Sequence, residues 1–314
     1  MKFDFNDVNL VPNKCIVDSR SECDTSFKFG NFKFRLPLVP ANMECVIDTN
    51  LAMELSKGGY FYILHRFYSD DEILNFISTM NHKNLITSIS LGVNESSYIL
   101  VDKIINSNLK VDYITIDIAH GHSNKMEKMI RHLKQVMTDT FIISGNVCTV
   151  EGVLDLETWG ADAIKVGISP GSACTTYTST GFGSKGCQAS TVYNCSLAAT
   201  VPIISDGGIR NPGDIAKALT LGATIVMIGG MLSGYKDSPG EILNVDGDVY
   251  KEFWGSASSF QSGKSNRIEG KKTLVEYKDK SIFDDLKYIE ECLQSSISYA
   301  GGKDLDAFIN VQWV

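Results

Sequence analysis

From about residue 36 onward, short β-branched and apolar runs alternate with stretches in which apolar residues recur at helical spacing. This alternation marks repeated strand–helix units around a parallel sheet. Eight strands are predicted, over 36–42, 60–65, 86–93, 113–119, 141–147, 163–168, 202–206 and 225–229. Each is nearly continuously apolar, as a strand covered on both faces must be. The intervening stretches, such as 124–137 with Met126, Ile130 and Leu133, or 214–221 with Ile215, Ala218 and Leu219, each present one apolar stripe. The pattern predicts an α/β protein, a (β/α)8 TIM barrel forming one domain over 1–314. A doubly wound open sheet competes. However, the Gly-x-Gly-x-x-Gly turn expected after its first strand is missing, and the length suits a barrel of about 250 residues with extensions.

Two stretches break the repeat, and both follow strands whose C-terminal ends face the active site of a barrel. One runs over 169–186 after the sixth strand and is rich in Gly, Ser and Thr. The other runs from 231 to about 280 after the eighth strand. Both are expected to be long active-site loops. Residues 281–297 read as a closing helix.

Apolar residues make up 43% and charged residues 21%, a balance that supports a full core and argues against disorder. The net charge of -8 offers no general attraction to nucleic acid or an anionic membrane, so neither is an expected partner and any phosphate recognition must be local. The first residues carry acids early and no run reaches about 18 apolar residues, so a soluble, cytoplasmic protein is expected. The eight cysteines form no Cys-x-x-Cys pair, which fits a reducing compartment with most thiols buried as small apolar groups.

After the seventh strand comes Ser205-Asp206-Gly207-Gly208-Ile209, and after the eighth Met227-Ile228-Gly229-Gly230-Met231. Glycines let backbone N–H groups approach a phosphate, and barrels commonly bind phosphate after these two strands. Asp206 is a candidate for ribose hydroxyls, since one carboxylate can accept from both. One glycine pair alone would read as a tight turn; two on adjacent strands favour a nucleotide, and a flavin mononucleotide oxidoreductase fits equally at this point. The loop Gly167-Ile168-Ser169-Pro170-Gly171-Ser172-Ala173-Cys174-Thr175-Thr176 sets a cysteine among small residues beyond a barrel strand, where a thiolate would be a strong nucleophile. His120 and His122 form a His-x-His pair, but no third metal ligand accompanies them, so polar loop contacts are expected.

That cysteine loop, with Thr180-Gly181-Phe182-Gly183, resembles the catalytic loop of the IMP dehydrogenase and GMP reductase superfamily. Further matching motifs are Ser19-Arg20-Ser21-Glu22, Pro40-Ala41-Asn42-Met43, Asp117-Ile118-Ala119-His120-Gly121-His122, Gly145-Asn146-Val147, Ile268-Glu269-Gly270-Lys271 and Ser298-Tyr299-Ala300-Gly301-Gly302. They cover essentially the whole chain. No room exists for the regulatory domain that dehydrogenases insert, Tyr250 to Ser258 resembles the reductase segment, and the flap lacks the Arg-Tyr pair that activates water in dehydrogenases. The reductase branch is therefore expected. A dehydrogenase without its regulatory domain and a non-catalytic GMP-binding pseudoenzyme are the alternatives.

The resemblance implies NADPH-dependent conversion of GMP to IMP and ammonia through a thioimidate on Cys174, with Thr176 and Glu269 activating the thiol and protonating the departing amine. By position it places Ser172, Asp206, Gly207, Gly208, Gly229, Gly230, Ser256, Ala257, Ser258 and Gly270 around GMP. It places Ser19, Arg20, Arg66, Asp117, Ile118 and Ala119 around the cofactor, with Arg20 and Arg66 suited to the extra phosphate of NADPH. In relatives, backbone of the cysteine loop coordinates potassium; Ser169 and Gly171 are the matching positions. Ser169 stands where the family usually has glycine, and its carbonyl serves only if the position does not need φ > 0. Tyr177 replaces the usual Lys or Arg, and a homotetramer is implied by analogy with relatives.

Overall fold

The computed structural model describes residues 2–262 and 269–314. Twelve strands follow in chain order: β1 (Phe27–Phe29), β2 (Phe32–Phe34), β3 (Leu38–Pro40), β4 (Ser88–Leu91), β5 (Tyr113–Asp117), β6 (Phe141–Val147), β7 (Ala163–Val166), β8 (Ile203–Asp206), β9 (Ile225–Ile228), β10 (Ile242–Val245), β11 (Asp248–Trp254) and β12 (Lys272–Glu276). Seven of them form one parallel sheet in the order β3-β9-β8-β7-β6-β5-β4. The predicted second strand, 60–65, lies beside β4 but joins it through a single parallel bridge, Leu64 to Ile89.

Side chains close what the hydrogen bonds leave open. Val39, Ile63, Tyr113, Ile143, Ile204 and Ile225 meet in one inner cluster, whereas their neighbours Leu38, Leu64, Ile114, Ile142, Ile203 and Val226 join the outer core under the helices. This two-residue alternation gives every strand one face toward the axis and one toward the helices, a TIM-barrel-like fold. Arg35 N–H also donates to Gly59 C=O at 2.9 Å, tying the lead into β3 to the lead into 60–65.

The hairpin β1–β2 plugs the end where the strands begin. Phe29 stacks on Tyr113 with centroids 5.7 Å apart and sets its edge against Phe61, and the Tyr113 hydroxyl donates to Phe29 C=O at 2.6 Å. Outer helices start where short polar side chains take up free N–H groups of the first turn. Ser123 caps Asn124–Val136, Thr149 caps Val150–Trp159 and Asn211 caps Pro212–Thr220. The closing helix runs over Ile282–Ala300. Among the described residues, no helix is long and apolar enough to cross a membrane.

The stretch after the eighth predicted strand is not the expected loop. Strands β10, β11 and β12 fold it into a three-stranded antiparallel sheet. Asp246 (φ 54) and Gly247 (φ 96) make the tight turn between β10 and β11, the left-handed pair that a two-residue hairpin requires.

Candidate active site

Along the inward register the barrel changes character from bottom to top. Tyr113, Ile143, Ala163 and Ile204 fill the lower layer; one or two steps further, the same strands present Asp117, Gly145, Lys165 and Asp206. Lys165 is buried, with Nζ 2.6 Å from Asp206 Oδ2 and 3.0 Å from Asp117 Oδ1. Asn146 Nδ2 also donates to Asp206 Oδ2 at 2.7 Å, and Asn42 Nδ2 donates to Asp117 Oδ2 at 2.9 Å. Burial works to raise the Asp117 pKa, but Lys165 and Arg66 overcome it and hold the carboxyl below its usual range. Burial opposes charge on Lys165 as well, and the two carboxylates reverse that, pushing its pKa above the ordinary lysine value.

The cysteine loop lies over this layer. Cys174 Sγ is 3.2 Å from Thr176 Oγ1, and Thr176 Oγ1 donates to Glu269 Oε2 at 2.8 Å. Glu269 comes from the far end of the chain and is held by backbone pairing. Its carbonyl accepts from Thr175 N–H at 3.1 Å, Cys174 bridges antiparallel to Gly270, and Lys271 N–H donates to Ala173 C=O at 2.9 Å. Ile268, the first residue of that matching motif, lies outside the described residues. Burial pushes the thiols of Cys45 and Cys195 up to about 12, which removes them as nucleophiles. Cys174, by contrast, is half-buried beside a hydroxyl.

The glycine segments converge around Ser172. A Cβ on Gly207 (φ +88) would lie 3.0 Å from Gly171 N, and one on Gly230 would lie 3.6 Å from Ser172 Oγ. On the flap side, a Cβ on Gly270 would meet Ser258 N at 2.8 Å, within the turn that Ser258 N–H closes onto Gly255 C=O across Ser256 and Ala257. Gly229 backs onto Phe253, and Gly208 (φ +86) lies against Gln188. A Cβ at Gly207 or Gly270 would clash and Gly208 holds a left-handed backbone, so glycine is required at these three positions, whereas Gly229 and Gly230 sit at ordinary contact distance from their neighbours.

Ser169 does adopt a left-handed conformation, with φ 73, the condition under which its carbonyl was not expected to serve. Its hydroxyl accepts from Tyr177 N–H at 2.7 Å, a bond glycine cannot make. The Gly171 carbonyl accepts from Cys174 N–H at 3.2 Å. These two carbonyls do not make a potassium cage by themselves.

Arg66 follows the second strand, faces Asp117 electrostatically and lies 4.9 Å from the Phe67 ring; its buried Nε has no hydrogen-bond partner. Asp117, Ile118 and exposed Ala119 lead out of β5 at the same rim, with Ile118 N–H bonded to Gly145 C=O. Ser19 and Arg20 stand elsewhere. They open a 3-10 turn beside Ile282–Ala300 and just before the plug hairpin, where the strands begin. Arg20 thus lies beside the closing helix, whereas Arg66 lies at the rim that carries Asp117. His122 pairs through Nε2 with Asp155 at 2.7 Å.

Sequence reasoning gave no role to Lys165, Asn146, Asn42 or Gln188. Gln188 is fully buried and ties β7 to β8 by donating to Val166 C=O at 2.8 Å and Asp206 C=O at 3.4 Å. The available signal was Lys165 itself, a lone charge at an inward position of an otherwise apolar strand.

The chain resembles known proteins along nearly its whole length. The family described as IMP dehydrogenase / GMP reductase domain matches residues 2–312. Proteins named GMP reductase from Clostridium acetobutylicum and Bacillus subtilis (strain 168) are 54% and 52% identical over 312 residues, covering 99% of this chain and 95% of each relative. With the cysteine, hydroxyl and carboxylate assembled at the mouth of the barrel and the match running nearly end to end, the chain belongs to the IMP dehydrogenase / GMP reductase family.

Proposed function

We propose that the chain acts as a GMP reductase, converting GMP to IMP and ammonia with NADPH as reductant, as a cytoplasmic homotetramer. The observation that carries this reading is the relay from Cys174 through Thr176 to Glu269, which gives a thiol a path to lose its proton and a carboxyl a proton to return.

Cys174 Sγ adds to carbon 2 of the guanine ring. The S–C bond forms, a ring C–N double bond opens onto nitrogen, and the thiol proton passes through Thr176 to Glu269. Glu269 then protonates the exocyclic amine; the C–N bond breaks, and ammonia departs to leave a thioimidate on Cys174. What bound NADPH supplies is a hydride at that same carbon. Return of the C–S electron pair to sulfur frees IMP, so one hydride and one proton are consumed per ammonia released.

Around these steps, Ser172, Gly207, Gly208, Gly229, Gly230 and the 256–258 turn hold the phosphate. Asp206 takes the ribose, and Gly270 lies by the base. Arg66, with its unpartnered buried Nε, fits a dinucleotide phosphate, and Asp117, Ile118 and Ala119 border the same rim. Ser19 and Arg20 are left out of this single-chain site by their position.

The test pairs two substrate sets on purified protein. Loss of the NADPH absorbance band with GMP, together with release of IMP and ammonia, is expected. Appearance of NADH from IMP and NAD would instead make the chain a dehydrogenase, and binding of GMP without either change would make it a pseudoenzyme.

A further inference from the structure

Two carboxylates at the mouth of the barrel, one on the substrate side and one on the cofactor side, share a single buried cation. Lys165 is 3% exposed and reaches Asp206 and Asp117 with the same Nζ. The neighbouring strand approaches it closely at Gly145, where a Cβ would lie 2.6 Å from Lys165 Cβ.

Asp206 is held asymmetrically. Oδ2 accepts from both Lys165 Nζ and Asn146 Nδ2, whereas Oδ1 makes no hydrogen bond among the described residues. A carboxylate clamped through one oxygen presents the other in a fixed direction, and that oxygen has lone pairs for two hydroxyls. Asp117 has both oxygens engaged, by Lys165 and Asn42, so it anchors the far end of the clamp. The charged groups facing Lys165 are thus Asp206 from β8 and Asp117 from β5, with Arg66 beyond Asp117.

We propose that Lys165 is the positioning residue that aims Asp206 at the ribose diol and thereby makes the site selective for ribonucleotides over 2′-deoxyribonucleotides. This rests on the reading of Asp206 as the ribose contact, and it adds the residue on which that contact depends. A hydroxyl bonded to a carboxylate contributes roughly ten- to a hundredfold in affinity, so the selectivity is measurable.

The experiment titrates GMP and 2′-deoxy-GMP into the wild-type protein and Lys165→Met, reading binding without turnover. The wild type should prefer GMP by roughly ten- to a hundredfold, and Lys165→Met should bring the two ligands within about threefold, mainly by weakening GMP. Lys165→Met leaves two carboxylates buried without their cation; if it does not fold, Asp117→Asn/Lys165→Met restores the charge balance and is read in the same way. A merely structural lysine would weaken both ligands equally and keep the ratio, which would overturn the proposal, as would a wild type that binds both alike. Ribose preference that depends on Lys165, with no NADPH-dependent turnover, would sustain the role of Lys165 while rejecting the reductase reading.

Discussion

The Thr176 hydroxyl spends its single proton on Glu269 Oε2, 2.8 Å away, and so faces Cys174 with an oxygen able only to accept. The Cys174 thiol at 3.2 Å is then the donor, and its proton already points along the path to the carboxylate. Substituting the relay hydroxyl or the terminal carboxyl should leave ligand binding nearly intact and slow turnover. Thr176→Val and Glu269→Gln are each expected to lower kcat by about 10²- to 10⁴-fold. The double variant should fall little further, because the two act as one unit. Steady-state kinetics on the four proteins decide it; multiplicative losses would mean independent roles.

Ser169 holds a left-handed backbone that disfavours side chains, and its hydroxyl offsets this through Tyr177 N–H. Ser169→Ala keeps the strain and removes the bond, and should destabilise by about 1–2 kcal/mol. Ser169→Gly removes both and should be within about 0.5 kcal/mol of wild type. Urea unfolding midpoints of the three proteins test this ordering.

Gly145 lies where a Cβ would be 2.6 Å from Lys165 Cβ and 2.7 Å from its carbonyl oxygen. Gly145→Ala must push β6 from β7 at the level of the charged layer, and a loss of about 3 kcal/mol or more is expected. Denaturant unfolding measures the loss, and a near-neutral effect would show that the two strands separate easily.

His65 is buried against Tyr68, with rings stacked at 4.4 Å, and burial lowers its pKa from 6.5 to about 4. Because the unfolded chain binds this proton more readily, the contribution of His65 is complete above the unfolded value and is lost as pH falls toward the folded one. Stability should therefore drop by roughly 3 kcal/mol across that window, and His65→Leu should flatten the decline. Unfolding midpoints at about pH 7 and about pH 4 for both proteins provide the check.

Much of this was legible in the chain. The apolar runs located the strands because a barrel strand is buried on both faces; Tyr60 to Leu64 show the same burial although only one bridge forms there. The antiparallel sheet after β9 is less legible even though Asn244-Val245-Asp246-Gly247-Asp248 carries a hairpin signal, because strands that are half-exposed lack a continuous apolar run. Cys174, Thr176 and Glu269 came from motif resemblance, which spacing alone does not supply, since Glu269 is 93 residues from Thr176. Lys165 is not legible as a site residue, because a lysine in a strand reads as solvent-facing until its partners, contributed by β5 and β8, close around it.

The role of Cys174 as nucleophile is tested by comparing Cys174→Ala with wild type for GMP-dependent NADPH oxidation and for GMP affinity on the same preparations. Turnover should fall by at least about 10⁴-fold, with GMP affinity within about threefold of wild type. Turnover that survives the substitution would contradict that role and place the chemistry elsewhere in the barrel.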